Sequence, residues 1–194
     1  IDAMRAVDRG ELPIDDDFVD FVETCVQCRG CETACPSGVQ FGALMEETRA
    51  ALAAEGRITP WWQRLGFRVL PRHRLLLAGS TAIAVGQRLR LVPKRFGVPP
   101  LPLRRAPKVE TTGDDVWLFT GCVMDAWQRE THRNTAALVA LTGAGVSVPG
   151  SGGGCCGALH VHAGLHDDAV SLAERVMSSM PGTAPILVNS VALG

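Results

Sequence analysis

Seven cysteines carry most of the chemistry open to this chain of 194 residues: Cys25, Cys28, Cys31, Cys35, Cys122, Cys155 and Cys156. Their number is odd, their spacing is clustered, and Cys155 adjoins Cys156. A secreted disulfide framework is more often even and spread out, so the pattern points to metal or redox chemistry in a reducing compartment. The first four read Cys25-Val-Gln-Cys28-Arg-Gly-Cys31-Glu-Thr-Ala-Cys35-Pro36, which is C-x2-C-x2-C-x3-C-P. This is the run that wraps a 4Fe-4S cubane. Gaps of two residues let three thiolates converge from one tight loop whose amides also face the cluster sulfides. Pro36 stops that loop and redirects the chain. Four cysteines also suit Zn2+, but zinc motifs usually pair two C-x2-C units across a longer gap. The compact run therefore favours iron–sulfur.

In two-cluster ferredoxins the fourth cysteine of such a run ligates the other cluster. Cys25, Cys28 and Cys31 are thus expected to hold one cluster and to take a fourth ligand from elsewhere. Cys35 is expected to serve a second cluster, so that one or two 4Fe-4S clusters are implied. The chain opens on Ile1 rather than Met. It reads as a piece, with a matching motif upstream of Ile1.

Helices are expected to flank the loop. Asp17–Glu23 has apolar positions suited to a short entering helix, and Gly42–Glu55 is rich in strong helix formers, with Gly56 as its stop. Further on, Val116–Thr120 reads as a buried strand ending at Gly121-Cys122, and Asp125–Leu141 as an amphipathic helix. Ala144–Pro149 reads as a second strand, Gly150–Gly157 as a flexible loop around Cys155 and Cys156, Ala163–Met180 as a helix, and Pro185–Ser190 as a third strand. Strand–helix–strand–helix–strand implies a short parallel sheet. Functional groups collect at the carboxyl ends of such strands. Cys122 follows the first strand and Cys155 and Cys156 the second, so all three thiols are placed on one edge. The surrounding glycines let backbone approach a bulky ligand, or serve only the loop. His132, His160, His162 and His166 lie nearby as candidate ligands or proton donors, although a lone histidine is more often structural. The glycine-rich run lacks both the G-K-[ST] ending and the G-x-G-x-x-G register of nucleotide loops.

Hydrophobic residues make up 46% of the chain and charged residues 20%, enough apolar material for a core. Charge is divided into blocks. Residues 1–55 hold twelve acids against four bases, 56–109 hold twelve bases and no acid, and 110–194 hold eight acids against three bases. The basic block interleaves Arg57, Arg64, Arg68, Arg72, Arg74, Arg88, Arg90, Lys94, Arg95, Arg104, Arg105 and Lys108 with Trp61-Trp62, Phe67 and leucines, then runs into prolines. Such a segment suits an anionic membrane face or an acidic partner. Nucleic acid is not expected as a partner: no recognition module accompanies the charge, aromatics are 5% and Tyr is absent. No secretory signal opens the chain, and the apolar stretch Leu75–Gly86 is too short to span a bilayer. The expectation is a cytoplasmic protein, with association at the inner face of the membrane as an option.

With Cys25–Pro36 followed by Ser37-Gly38-Val39-Gln40, Phe119-Thr-Gly-Cys122-Val, and Gly154-Cys155-Cys156-Gly157-Ala158-Leu159-His160, the chain resembles the iron–sulfur subunits of glycolate oxidase. More broadly it is similar to the ferredoxin-plus-cysteine-rich-domain proteins that include heterodisulfide reductase subunits. The resemblance implies a mixed α+β and α/β architecture. A helical ferredoxin-like 4Fe-4S domain would occupy 1–56, a basic helical and proline-rich linker 57–109, and an α/β cysteine-rich domain of the CCG type 110–194. It implies an electron-transfer subunit of an oxidoreductase that oxidises a 2-hydroxy acid such as glycolate. The substrate site would lie on a partner flavoprotein, and electrons would leave to a quinone or other acceptor. A heterodisulfide or thiol reductase subunit is the alternative within redox chemistry, and a zinc-stabilised binding module the alternative outside it. The family repeat ends in a further cysteine where this chain has Leu193, which bears on whether Cys122, Cys155 and Cys156 hold a cluster.

Overall fold

A computed structural model describes residues 2–93, 95 and 97–189, without the side chain of Ser151. The elements run α1 (Asp2–Asp8), α2 (Asp16–Thr24), α3 (Gly30–Thr33), α4 (Phe41–Ala54), α5 (Trp61–Val69), α6 (His73–Arg88), β1 (Val116–Phe119), α7 (Cys122–Trp127), α8 (Arg129–Ala140), β2 (Val146–Ser147), α9 (Ala158–His162), α10 (His166–Ser179) and β3 (Ile186–Val188). A single 3-10 turn, Ser151–Gly153, follows β2. The fold is helix-rich, with a three-stranded parallel sheet. It divides into two compact units: residues up to Leu65 with Gly157–Val170, and Gly66–Cys156 with the residues from Ser171 onward.

The first unit is helical. Asp15 caps α2 by accepting a 2.9 Å bond from the Phe18 amide, and Asp16 and Asp17 complement the helix dipole. The i, i+4 pair Phe18 and Val22 points inward with Met4, Met45, Leu52, Ala53 and Ile58, and Cys25 packs against this core. Helix α4 stops as expected at Gly56: its φ of +71° lets the Arg57 amide reach back to the Leu52 carbonyl, the Schellman arrangement. Short α9 packs on α4.

The second unit holds the sheet, ordered β2-β1-β3 with both pairings parallel. Leu118 and Val146 are fully buried at its centre. The three strands lie where the apolar runs place them, each shorter than the run. The helix expected over 125–141 is two helices, broken at Gln128 (φ −132°, ψ 35°). The basic block contains α5 and α6. No helix among the described residues is long and apolar enough to cross a membrane.

Candidate functional site

The first cysteine group hangs between α2 and α4. Cys25 ends α2 in extended backbone (φ −70°, ψ 116°), so the chain leaves the helix at the first thiol. Gln27 and Arg29 then take left-handed conformations, φ +52° and +56°. Neither is glycine, and such conformations cost about 1–3 kcal/mol each unless the surroundings hold them. Part of the hold is visible. Arg29 lies 3.6 Å from Glu32 and 3.9 Å from Glu46, and Glu32 accepts a 2.6 Å bond from the Gly42 amide. The Arg29 guanidinium lies against Gly42, so a Cβ there would have to displace it. Cys31 rides on the single turn α3. The turn Cys35–Gly38, closed by a 3.1 Å bond from the Gly38 amide to the Cys35 carbonyl, carries Pro36 as its first inner residue.

These elements surround a cavity of about 380 Å³ lined by Cys25, Cys31 and Cys35 together with Phe21, Thr24, Val39, Phe41 and Met45. Cys28 is exposed and outside that lining. The cavity gathers Cys25, Cys31 and Cys35 along its wall, whereas the spacing expects Cys28 beside Cys25 and Cys31 and sends Cys35 to another cluster. The amides of Val39, Ser37 and Gly38 hydrogen-bond the Cys35 sulfur and pull its pKa below the ordinary thiol value. That favours the thiolate, the form that binds metal. Two further atoms lack a partner among the described residues: the Gln27 side-chain oxygen and nitrogen are buried without a hydrogen bond. Among the described residues, no three Cys, His, Asp or Glu side chains are gathered as a group that could hold a metal ion. The thiols border a cavity instead. Soft sulfur donors around a space with apolar walls fit an iron–sulfur cluster, whose irons take ligands at separate corners.

The second cysteine group lies at the carboxyl ends of the strands. Gly121 (φ +62°) turns the chain out of β1 so that Cys122 opens α7. Cys122 and Cys155 are both buried and pack with Leu172, Leu76 and Val123, while Cys156 is half-buried. The side-chain hydrogen bond shared with Cys155, burial, and the nearby charges of Cys155 and Cys156 push the Cys122 thiol far above its ordinary pKa. The three sulfurs are therefore neighbours, as the strand order requires. Glycines of the loop have packing reasons of their own. A Cβ on Gly153 would stand 2.4 Å from Pro149, one on Gly152 2.9 Å from Ser179, and one on Gly157 2.7 Å from the Ala169 carbonyl oxygen. Only Gly150 and Gly154 face open space there.

The histidines have different surroundings. His132 is fully buried on α8 and its Nδ1 accepts from the Asn189 amide at 2.7 Å; Asn189, just past β3, also lies 2.8 Å from the Thr135 hydroxyl. Burial pushes the His132 pKa down. His160 is buried, His162 half-buried with its pKa lowered by burial and by Arg49, and His166 exposed. Leu193 lies outside the described residues. Sequence reasoning passed over three groups. Arg49 is buried beneath the first cysteine loop. Gln27, a spacer of the C-x2-C run, has a left-handed backbone and a buried side-chain amide. Asp125 is buried between Arg129 and His73 on the helix that Cys122 opens.

Comparison with known proteins bears on both cysteine groups. Residues 116–192, which include Cys122, Cys155 and Cys156, match the cysteine-rich domain family. The chain is 28% identical over 89% of its length to the probable glycolate oxidase iron-sulfur subunit of Bacillus subtilis (strain 168), covering 45% of that protein. It is also 28% identical over 79% of its length to the glycolate oxidase iron-sulfur subunit of Escherichia coli (strain K12), covering 39% of it. The chain spans less than half the length of these curated relatives. No solved structure matches it.

Proposed function

We propose that this chain is part of an iron–sulfur electron-transfer subunit of an oxidoreductase acting on a 2-hydroxy acid, with glycolate as the first candidate. The observation that carries the reading is the apolar cavity lined by Cys25, Cys31 and Cys35, in a chain similar to two glycolate oxidase iron–sulfur subunits. Cys25, Cys28, Cys31 and Cys35 are the proposed ligands. A 4Fe-4S cluster held there would supply one-electron transfer. The protein's part is to set the conditions for it. Phe21, Val39, Phe41 and Met45 give the cavity apolar walls, and the amides of Ser37, Gly38 and Val39 favour the Cys35 thiolate. Hydride chemistry is assigned to a flavoprotein partner, and electrons pass on to a quinone or other acceptor. Mixing the purified full-length protein with its flavoprotein partner should make dye reduction depend on glycolate. Reduction at the same rate without this subunit would overturn the assignment.

Cys122, Cys155 and Cys156 support a second reading, a thiol or heterodisulfide reductase subunit, because two buried thiols share a hydrogen bond with a third alongside. In that case the same mixture would reduce a mixed disulfide rather than the dye.

The basic block is the proposed membrane-facing surface. Along α6 and just past it, Leu75, Ile83, Val85, Leu89 and Leu91 are exposed. Arg72, Arg74, Arg88 and Arg90 bracket them. Apolar residues flanked by arginines suit the headgroup region of an anionic bilayer at its cytoplasmic face. The protein should co-sediment with vesicles containing phosphatidylserine and much less with pure phosphatidylcholine vesicles. Equal recovery would remove the membrane from the account.

A further inference from the structure

We infer that Arg49 is the buried counter-charge of the centre held by the first cysteine loop, and that it raises that centre's reduction potential. The inference rests on the cluster assignment made above and adds a residue to it.

Arg49 lies on α4, on the apolar stripe with Met45, Leu52 and Ala53, and is 8% exposed. Its guanidinium is held by carbonyls. Nη2 donates to the carbonyl oxygens of Val22 at 2.8 Å and Cys25 at 2.6 Å, with Glu23 at 3.4 Å, and Nη1 donates to that of His162 at 2.6 Å. Nε is buried with no partner among the described residues. None of the ion pairs among the described residues includes Arg49. Carbonyl dipoles satisfy its N–H groups, yet they do not neutralise a full charge, and a buried cation without an anion is costly. The acidic groups that act on it are Cys25 and Glu23. Cys25 is a proposed ligand whose own carbonyl Arg49 grips.

A four-iron cluster in a thiolate cage carries net negative charge, and taking up one electron adds one more. Net charge around a cluster is among the determinants of its potential. A fixed cation beside Cys25 stabilises the reduced form more than the oxidised form, so the potential rises. Arginine suits the position because it stays charged when buried and its planar fork can serve several carbonyls at once. Arg49 thus acts as a positioning residue through the Cys25 carbonyl and as a charge through space.

The test is a redox titration of full-length wild type, Arg49→Gln and Arg49→Lys, followed by visible bleaching and electron paramagnetic resonance, with iron quantified in each. Arg49→Gln keeps donors for the carbonyls and loses the charge; its midpoint should fall below that of wild type. Arg49→Lys should stay near wild type at neutral pH. Equal midpoints in wild type and Arg49→Gln, or equal shifts in both variants, would make Arg49 purely structural and overturn the inference. Should Arg49→Gln not fold, Arg49→Lys decides through pH. A buried lysine deprotonates on the alkaline side whereas a guanidinium does not. Its midpoint should then drop with rising pH relative to wild type, while parallel curves would overturn the inference. The other titratable groups around the position, Glu23, Cys25, Glu46 and His162, are common to both proteins. A wild type that carries no iron would instead sink the cluster assignment itself.

Discussion

Cys31→Ser is expected to strip the first centre of iron while leaving the helical unit folded. Even outer-shell partners of a metal ligand cost roughly 10- to 100-fold in affinity when removed, so loss of a thiolate itself should cost more. Cys31 lies on the one-turn helix α3 and is exposed, so its replacement disturbs no core packing. Circular dichroism should therefore be unchanged while iron and visible absorption collapse. Cys35→Ser is the more discriminating variant. The spacing rule assigns Cys35 to a second cluster, whereas the fold lines one cavity with Cys25, Cys31 and Cys35. If the cavity holds the cluster, Cys35→Ser removes the same centre that Cys31→Ser removes. A Cys35→Ser protein with the wild-type spectrum would return Cys35 to a different cluster.

Asp125→Asn is expected to cost the second unit about 3 kcal/mol, the low end of what breaking one side of a buried ion pair costs. Asp125 is 7% exposed. Its two carboxylate oxygens accept from Arg129 Nε at 2.9 Å and Nη2 at 2.7 Å, and His73 Nε2 stands 3.0 Å away. Arg129 also donates to the Ala106 carbonyl, so the network ties the proline-rich segment to α7 and α8. Burial raises the Asp125 pKa, but Arg129, with help from His73 and Lys108, outweighs it and holds the carboxyl below the ordinary carboxylate value. A carboxyl depressed in the folded state contributes stability that is complete above its unfolded pKa and is lost as pH falls through the folded one. Wild type should therefore lose urea resistance on acidification through that range, and Asp125→Asn should lack that part of the slope. Coincident urea curves at neutral pH would show that the pair contributes nothing.

The parts of the fold legible in the sequence are those fixed by local pattern. Val116–Phe119, Val146–Ser147 and Ile186–Val188 sit in apolar runs bounded by turn residues, and parallel pairing then puts Cys122 and Cys155 at one edge without further information. What stayed hidden depends on contacts distant in sequence. The left-handed Gln27 and Arg29 reverse the loop with residues that rarely adopt such a backbone, so the spacing alone could not show that Cys35 turns inward and Cys28 outward. The glycines at 152, 153 and 157 look like ligand clearance in sequence, yet Ser179, Pro149 and Ala169 explain them by packing. Arg49 left one readable trace: an arginine interrupts the stripe Met45–Leu52–Ala53, where a solvated charge has no place. Asp125 and Arg129 are an i, i+4 pair that reads as a surface bridge until burial is known.

The thiols of residues 25–35 are proposed to hold an iron–sulfur cluster, and the rest of the function follows from that centre. Its most direct measurement is iron and acid-labile sulfide per chain in anaerobically prepared full-length protein, read alongside the visible spectrum before and after dithionite. Iron and sulfide should be present in equal amounts, with a broad absorption that bleaches on reduction. A folded, colourless protein carrying zinc or no metal would contradict the proposal.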